Sequence, residues 1–514
     1  MAKPFYVTTP IYYVNDKPHL GHAYATLACD VLARFMRLDG REVKFLTGTD
    51  EHGSKVAKSA AAAGLEPQAF ADKVSQSFQD LRALMNFTND DFIRTTQKRH
   101  HEACQALWKV IAEKGHIYLG KYEGWYSVRD EAYFAEDELT TAPDGSRRAP
   151  TGAPVEWVEE PSYFFKLSAF QDRLLEHYEK NPEALAPLTR RNEAVSFIKS
   201  GLRDLSVSRT TFSWGIPVPG DEKHVMYVWF DALTNYITAL GYPHTGGGGE
   251  YAKFWPEVHH IIGKDILRFH AVYWPAFLMA AGLEPPKRIF AHGWWVVAAE
   301  KMSKSLGNVV TPESLVARFG LDQTRFFLLR EMPFGNDGDF SLEAMATRIN
   351  AELANALGNL AQRSLSMIQR YCGGVLPQPN GFAAADEKLL GLADAMLPAM
   401  REAMEIQAFH KGLDAVFATV GDANRYVDEQ APWALKKTDP ARLDTVLYVL
   451  AETIRQCALV LQPFMPNACA AMLDAVGVGA EDRSFAHAAK RLSAGAVLPP
   501  PTPIFPRVVL EESA

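Results

Sequence analysis

The chain has 514 residues, 47% hydrophobic and 22% charged, which excludes a disordered or fibrous protein and leaves room for roughly two to four domains. A formal net charge of −8 gives no sign of a nucleic-acid partner, so any RNA contact has to rest on local basic patches and stacking residues. Five cysteines without paired spacing suggest reduced thiols, and neither a leader-like start nor an apolar run of membrane-spanning length is found, so a cytoplasmic protein is expected.

The first predicted element is a short buried strand, Phe5 to Thr9. His19-Leu20-Gly21-His22 follows, and then a helix to Leu38 in which Tyr24, Leu27, Ala28, Val31, Leu32 and Phe35 recur at helical spacing. Glu42 to Thr47 reads as a second strand. Strand, turn, helix and strand make a parallel unit, which puts both histidines where open α/β sheets bind ligands and where helix N–H groups attract phosphate. Gly21 lets a phosphate or ribose approach the backbone. His19 and His22, three apart, point to one side and can donate N–H to phosphate oxygens.

Thr47 to Gly53 reads as a glycine-bearing turn at the same edge, with Asp50 and His52 aimed at one ligand. Its alternative is an Asp turn capping the helix from Ser54. Asp91 to Thr95 is a third strand and His100 to Lys114 a helix. From Ile117 the pattern changes to short aromatic strands around Tyr118, Tyr122, Trp125-Tyr126 and Tyr133-Phe134, an insertion between two halves of a sheet. The second half is predicted to begin near Val225, with Val225 to Trp229 as a strand and a helix opened by Asp231. Ala232, Leu233 and Tyr236 share one face of that helix. Gly246 to Gly249 reads as a flexible loop without the strand–helix context of a phosphate cradle. His259 to Ile262 is a strand, Gly263-Lys264-Asp265 a turn, and Ile266 to Ala280 a helix with Ile266 and His270 on one face.

Lys301-Met302-Ser303-Lys304-Ser305 then sets two ammonium groups and two hydroxyls between an apolar run and Leu306-Gly307-Asn308. Leu342 to Met472 is nearly all helical, with loops at 372–381 and 438–440. The proline-rich tail from Leu498 is extended, and Ile504 to Leu510 is apolar enough to pack back onto the body.

The histidine and lysine motifs together resemble the ATP-binding signatures of class I aminoacyl-tRNA synthetases. Pro10-Ile11-Tyr12-Tyr13-Val14-Asn15, Gly48-Thr49-Asp50-Glu51-His52-Gly53, Tyr227 to Tyr236, and Arg425-Tyr426-Val427-Asp428-Glu429-Gln430-Ala431-Pro432-Trp433 resemble methionyl-tRNA synthetases in particular. The likeness runs from Pro4 to about Arg507. It implies an α/β protein whose Rossmann-type parallel-sheet catalytic domain spans 1–116 and 225–290, with an inserted connective domain at 117–224. A lysine-motif and stem-contact region (291–341), an all-α helical-bundle anticodon-binding domain (342–493) and a tail packing back on the body (494–514) follow.

The activity so implied is activation of L-methionine with ATP and Mg2+, then transfer to tRNA(Met), elongator and initiator. Carried over residue by residue, His19, His22, Arg209, Lys301 and Lys304 would be catalytic, and Gly21 and Ser303 would complete the ATP site. Ile11, Tyr13, Trp229, Ala232, Leu233, Tyr236, Ile266 and His270 would line the methionine pocket, with Asp50 on the amino group. Some relatives carry proline at position 233, so that wall differs in shape. Asn359, Arg363 and Trp433 would read the anticodon. Ser127-Val128-Arg129-Asp130 stands where relatives with a zinc knuckle have Cys-x-x-Cys, so no structural zinc and no other metal site is expected. The 278 residues between His22 and Lys301 leave too little room for the editing domain of the isoleucine, leucine and valine enzymes. A monomer without membrane contact is expected.

Overall fold

A computed structural model of the chain describes residues 3–130, 132–134, 136–142, 144–245, 249–297, 300–301 and 310–510. Strand β1 (Phe5–Thr8) is buried throughout, with Phe5 and Val7 in one hydrophobic cluster and Tyr6 in another, as alternation across a pleated strand requires. Helix α1 (Leu20–Leu38) follows, then β2 (Val43–Asp50), β3 (Asp91–Arg94) and helix α2 (Lys98–Glu113). Beyond the insertion come helix α3 (Val228–Thr238), β4 (Val258–Gly263) and β5 (Arg288–His292). The five strands are parallel in the order β3-β2-β1-β4-β5, and Tyr12–Tyr13 on β2 and Leu185–Ala186 on β5 bring the sheet to seven strands among the described residues. The order reverses between β1 and β4, and that switch point opens a crevice at the strands' carboxyl ends.

The sheet separates two cores. On one face α1, the helix Pro67–Met85 and the helices after Leu321 share a continuous hydrophobic cluster; on the other, α2, α3 and Trp274–Ala281 pack with part of the insertion. The insertion itself is built on a long antiparallel pair, Ile117–Ser127 with Glu156–Phe165.

Two expectations need correction. Thr47 to Asp50 is not a turn: β2 continues to Asp50, flanked by Tyr12–Tyr13 and β3. Gly48 serves this close strand approach, since a Cβ there would sit 2.0 Å from the Ile93 carbonyl oxygen. The helix Ser54–Ala62 starts from Gly53 with no side-chain cap, so the Asp-cap alternative also falls. Nor is Val225 to Trp229 a strand of the parallel sheet. Asp221–Met226 pairs antiparallel with Ser208–Arg209, and helix α3 already begins at Val228. A run of apolar residues fits a buried helix as well as a strand, and length alone did not decide it. The second half of the parallel sheet therefore starts at Val258. The Gly246–Gly249 reading falls mostly outside the described residues.

Helix α4 (Leu321–Arg330) leads into the helical part of the chain, which includes α5 (Asn359–Tyr371), α6 (Phe409–Gln430) and α7 (Pro440–Leu461). Arg325 on α4 is completely buried. Its guanidinium donates to Asp30 Oδ2 on α1 at 2.7 Å, to the Met85 carbonyl at 2.9 Å, and to the Pro463 and Phe464 carbonyls at 2.8 and 3.0 Å. The tail is tied to the helices, with Phe505 buried and Val508 exchanging two 2.8 Å hydrogen bonds with Asn350. Among the described residues no helix is long and apolar enough to cross a membrane.

Candidate active site

His19 is the N-cap of α1, and its Nδ1 accepts from the Gly21 N–H at 3.0 Å. Reciprocally, the His19 backbone N–H donates to His22 Nδ1 at 3.1 Å, and the two rings stack with centroids 3.8 Å apart. Because both Nδ1 atoms accept, the ring proton of each neutral imidazole lies on Nε2. A helix N-terminus at the switch point thus carries two imidazole N–H donors. Gly21 matters here for a local reason: a Cβ would come within 2.9 Å of His19 Cε1.

At the neighbouring end of β2, Asp50 is buried beside Tyr13 in register. The loop after it is clamped. Arg94 forms a two-pronged pair with Glu51 at 2.7 and 3.0 Å, Trp214 donates to the Glu51 carbonyl at 2.6 Å, and His52 Nδ1 meets Asp231 Oδ2 at 2.6 Å. The motif's charges are therefore mostly turned inward, leaving Asp50 beside the tyrosine strand.

Tyr13 faces the Trp229 ring edge-on at 6.4 Å, and Trp229 stacks on Phe269 at 3.8 Å. Tyr236 donates its hydroxyl to His270 Nε2 at 2.7 Å, while His270 Nδ1–H donates to the Ile266 carbonyl at 3.0 Å. That pairing fixes a neutral tautomer, and burial pushes the His270 pKa down to about 4. Ala232 and Leu233 are buried on the same helix, and Ile11 and Ile266 pack against the same cluster. Of the side chains expected to line an apolar pocket, Ile11, Tyr13, Trp229, Leu233, Tyr236 and Ile266 thus share one cluster. Tyr12, next to Tyr13, lies 4.7 Å from the His22 ring, so two consecutive residues link this cluster to the histidines.

Arg209 is almost entirely buried, with its guanidinium 4.9 Å from the Tyr227 ring and 5.2 Å from Tyr126, and it donates to Ser206 Oγ at 3.1 Å. It braces the start of α3 from the insertion. Lys301 is described as backbone only, paired with Val296 in a short antiparallel ladder; Ser303 and Lys304 lie outside the described residues. Asp265 was missed as anything beyond a turn residue. It stands exposed just past β4 at the switch point, and Trp294 Nε1 donates to its Oδ1 at 3.1 Å. The signal available was its position at a strand's carboxyl end.

In the insertion, Ser127 Oγ and Asp130 hydrogen-bond each other at 3.2 Å and Thr151 donates to Asp130, and no cysteine occurs between 117 and 224. Such oxygen donors, tied to one another, do not make the thiolate and imidazole set of a zinc knuckle. On the helical part, Asn359 and Arg363 are exposed one turn apart on α5. Trp433 is 48% exposed, with the Arg363 guanidinium 6.0 Å from its ring and Asp428 3.2 Å from Arg363. Pro432 and Trp433 open the helix Pro432–Thr438, and Trp433 does not pack beneath it.

A parallel sheet with His-Leu-Gly-His at its switch point, a lysine motif beyond the last strand and an appended helical domain define a class I aminoacyl-tRNA synthetase. Family comparison agrees: the model "tRNA synthetases class I (M)" matches residues 5–365, and "Anticodon binding domain of methionyl tRNA ligase" matches 376–514. The chain belongs to the methionyl-tRNA synthetase family. It is 58% identical over 506 residues to the methionine–tRNA ligase of Brucella suis, covering 98% of each, and 54% identical over 510 residues to that of Mycobacterium tuberculosis, again covering 98% of each. A solved structure of M. tuberculosis methionyl-tRNA synthetase in complex with methionyl-adenylate superposes with a TM-score of 0.96 at 53% identity, covering 98% of this chain and 100% of that one.

Proposed function

We propose that this chain activates L-methionine with Mg-ATP and charges tRNA(Met), elongator and initiator, as a monomeric cytoplasmic enzyme. The observation that carries the reading is the junction at Tyr12 and Tyr13, where a cluster of aromatic rings meets the paired histidines. A thioether is apolar, polarisable and a weak acceptor, and it suits aromatic walls with few polar contacts. The methionyl-adenylate found in the M. tuberculosis neighbour supports the same substrate pair.

In this reading Asp50 holds the ammonium group, and Ile11, Tyr13, Trp229, Ala232, Leu233, Tyr236, Ile266 and His270 enclose the side chain. A methionine carboxylate oxygen attacks the α-phosphorus of ATP, and the bond to the bridging oxygen of pyrophosphate breaks. A terminal ribose hydroxyl of the tRNA then attacks the methionyl carbonyl carbon, and AMP leaves. Neither step needs an enzyme nucleophile, so positioning and charge stabilisation supply the rate. His19 and His22 donate Nε2–H to phosphate or ribose oxygens, with Gly21 holding their stack. Lys301, Lys304 and Arg209 meet charge on the leaving pyrophosphate, with Ser303 in the same loop. Asn359, Arg363 and Trp433 read the anticodon, and the fold needs no zinc. Pyrophosphate exchange with each of the twenty amino acids, followed by charging of both methionine tRNAs, tests this. Methionine alone should support robust exchange; preference for another amino acid refutes the reading.

A further inference from the structure

Asp231 takes no part in that chemistry, yet it is fully buried in the first turn of α3 and accepts from two elements at once. His52 Nδ1–H reaches Oδ2 at 2.6 Å from the loop after β2, and His100 Nε2–H reaches Oδ1 at 2.7 Å from α2. Burial by itself would raise the Asp231 pKa, but the two imidazoles outweigh it and hold the carboxyl well below its ordinary range. Cys104 Sγ lies 3.3 Å from His100 Nε2, and the His100, Cys104 and Asp231 donor atoms all fall within 4.8 Å of one another. A metal is the alternative reading of that cluster. Yet nitrogen and oxygen ligands of a tetrahedral zinc stand about 3.3 Å apart, whereas these share protons at hydrogen-bond distance.

What Asp231 joins gives the feature its meaning. His52 is two residues beyond Asp50, and α3 carries Trp229, Ala232, Leu233 and Tyr236. An amino acid gripped at both ends needs a fixed span between the anion facing its ammonium and the wall facing its side chain. Here the two grips sit on separate elements. We propose that Asp231 is a positioning residue for the amino acid: its bond to His52, braced by His100, sets the distance between Asp50 and the α3 wall. This inference rests on the roles proposed above for Asp50 and α3.

Two variants test it. Asp231→Asn keeps the shape and removes the charge, whereas His52→Phe keeps a ring, removes the N–H donor and so breaks the link from the other side, leaving the Asp231–His100 bond in place. In pyrophosphate exchange both should raise KM for methionine about tenfold. KM for ATP and kcat should stay within about twofold, because the grip on the amino acid is what changes. A merely structural role would not produce a second effect. Methioninol and its deamino counterpart, 4-(methylsulfanyl)butan-1-ol, compete with methionine through both grips and through the wall alone, respectively. The variants should weaken methioninol about tenfold while leaving the deamino compound unchanged. An unaltered ratio of the two inhibition constants, or parallel losses for ATP and methionine, overturns the proposal. If Asp231→Asn does not fold, His52→Phe decides the matter alone. Failure of the underlying reading looks different, because the wild-type protein would then show no methionine-dependent exchange.

Discussion

His270 is the residue whose chemistry is most tightly fixed by its neighbours. It donates from Nδ1 to a carbonyl and accepts at Nε2 from Tyr236, and both bonds suit the neutral ring. Its pKa of about 4 lies below the ordinary histidine value, so between those two pH values the unfolded chain takes up a proton that the native state refuses. Stability must therefore fall as pH drops from about 6.5 towards 4, and the His270 contribution between pH 7 and 5 is about 2 kcal/mol. His270→Gln should lose that much less stability over the same interval, read by urea unfolding at the two pH values. Lys304 is proposed above to make the opposite kind of contribution, to a charge that appears mainly in the transition state. Lys304→Ala should slow adenylate formation by an amount worth about 3 to 4 kcal/mol while methionine binding stays nearly intact. Single-turnover kinetics check this, and a collapse in methionine affinity with unchanged chemistry would refute it.

At the scale of elements, two glycines separate fold from site. Gly48 lies in β2 where a Cβ would strike the backbone oxygen of Ile93 on β3, so Gly48→Ala must force β2 and the edge strand β3 apart. It should cost about 3 kcal/mol or more in thermal or urea unfolding, since backbone cannot rotate away as a side chain does. Gly21→Ala meets only the His19 ring. It should cost about 1 kcal/mol, the worth of a helix cap, yet depress exchange activity strongly by unstacking the two histidines. These elements also show what could be read in advance. The β1–α1–β2 unit and the long helical stretch beyond Leu342 followed from periodicity, because each has a single burial pattern along its length. Val225 to Trp229 misled because it mixes the end of an antiparallel strand with the buried first turn of α3, and both are apolar. The residues proposed for the methionine pocket came from resemblance alone. The Asp231–His52–His100 contacts could not be read in this way, because residues 179 and 131 positions apart become neighbours only through the tertiary fold.

Across the whole molecule the proposed tRNA reader and the proposed chemistry stand on different domains, which makes them separable by experiment. Stacking is worth roughly 1 to 3 kcal/mol per base, so Trp433→Ala should lower tRNA charging by about tenfold or more while methionine-dependent pyrophosphate exchange hardly changes. Equal losses in both assays would make Trp433 structural. Separable function does not mean separable folding, and Arg325 shows why. Its buried guanidinium is bound at once to the helix bearing the two histidines, to the end of Pro67–Met85 and to the turn after α7. Loosening any one of these strands a desolvated cation, a loss of about 3 to 5 kcal/mol when such a pair is broken. In a calorimeter, then, the catalytic and helical parts should absorb heat as one peak, with calorimetric and van't Hoff enthalpies nearly equal despite the chain's length. Arg325→Met should split that peak in two, turning one cooperative melting unit into a pair.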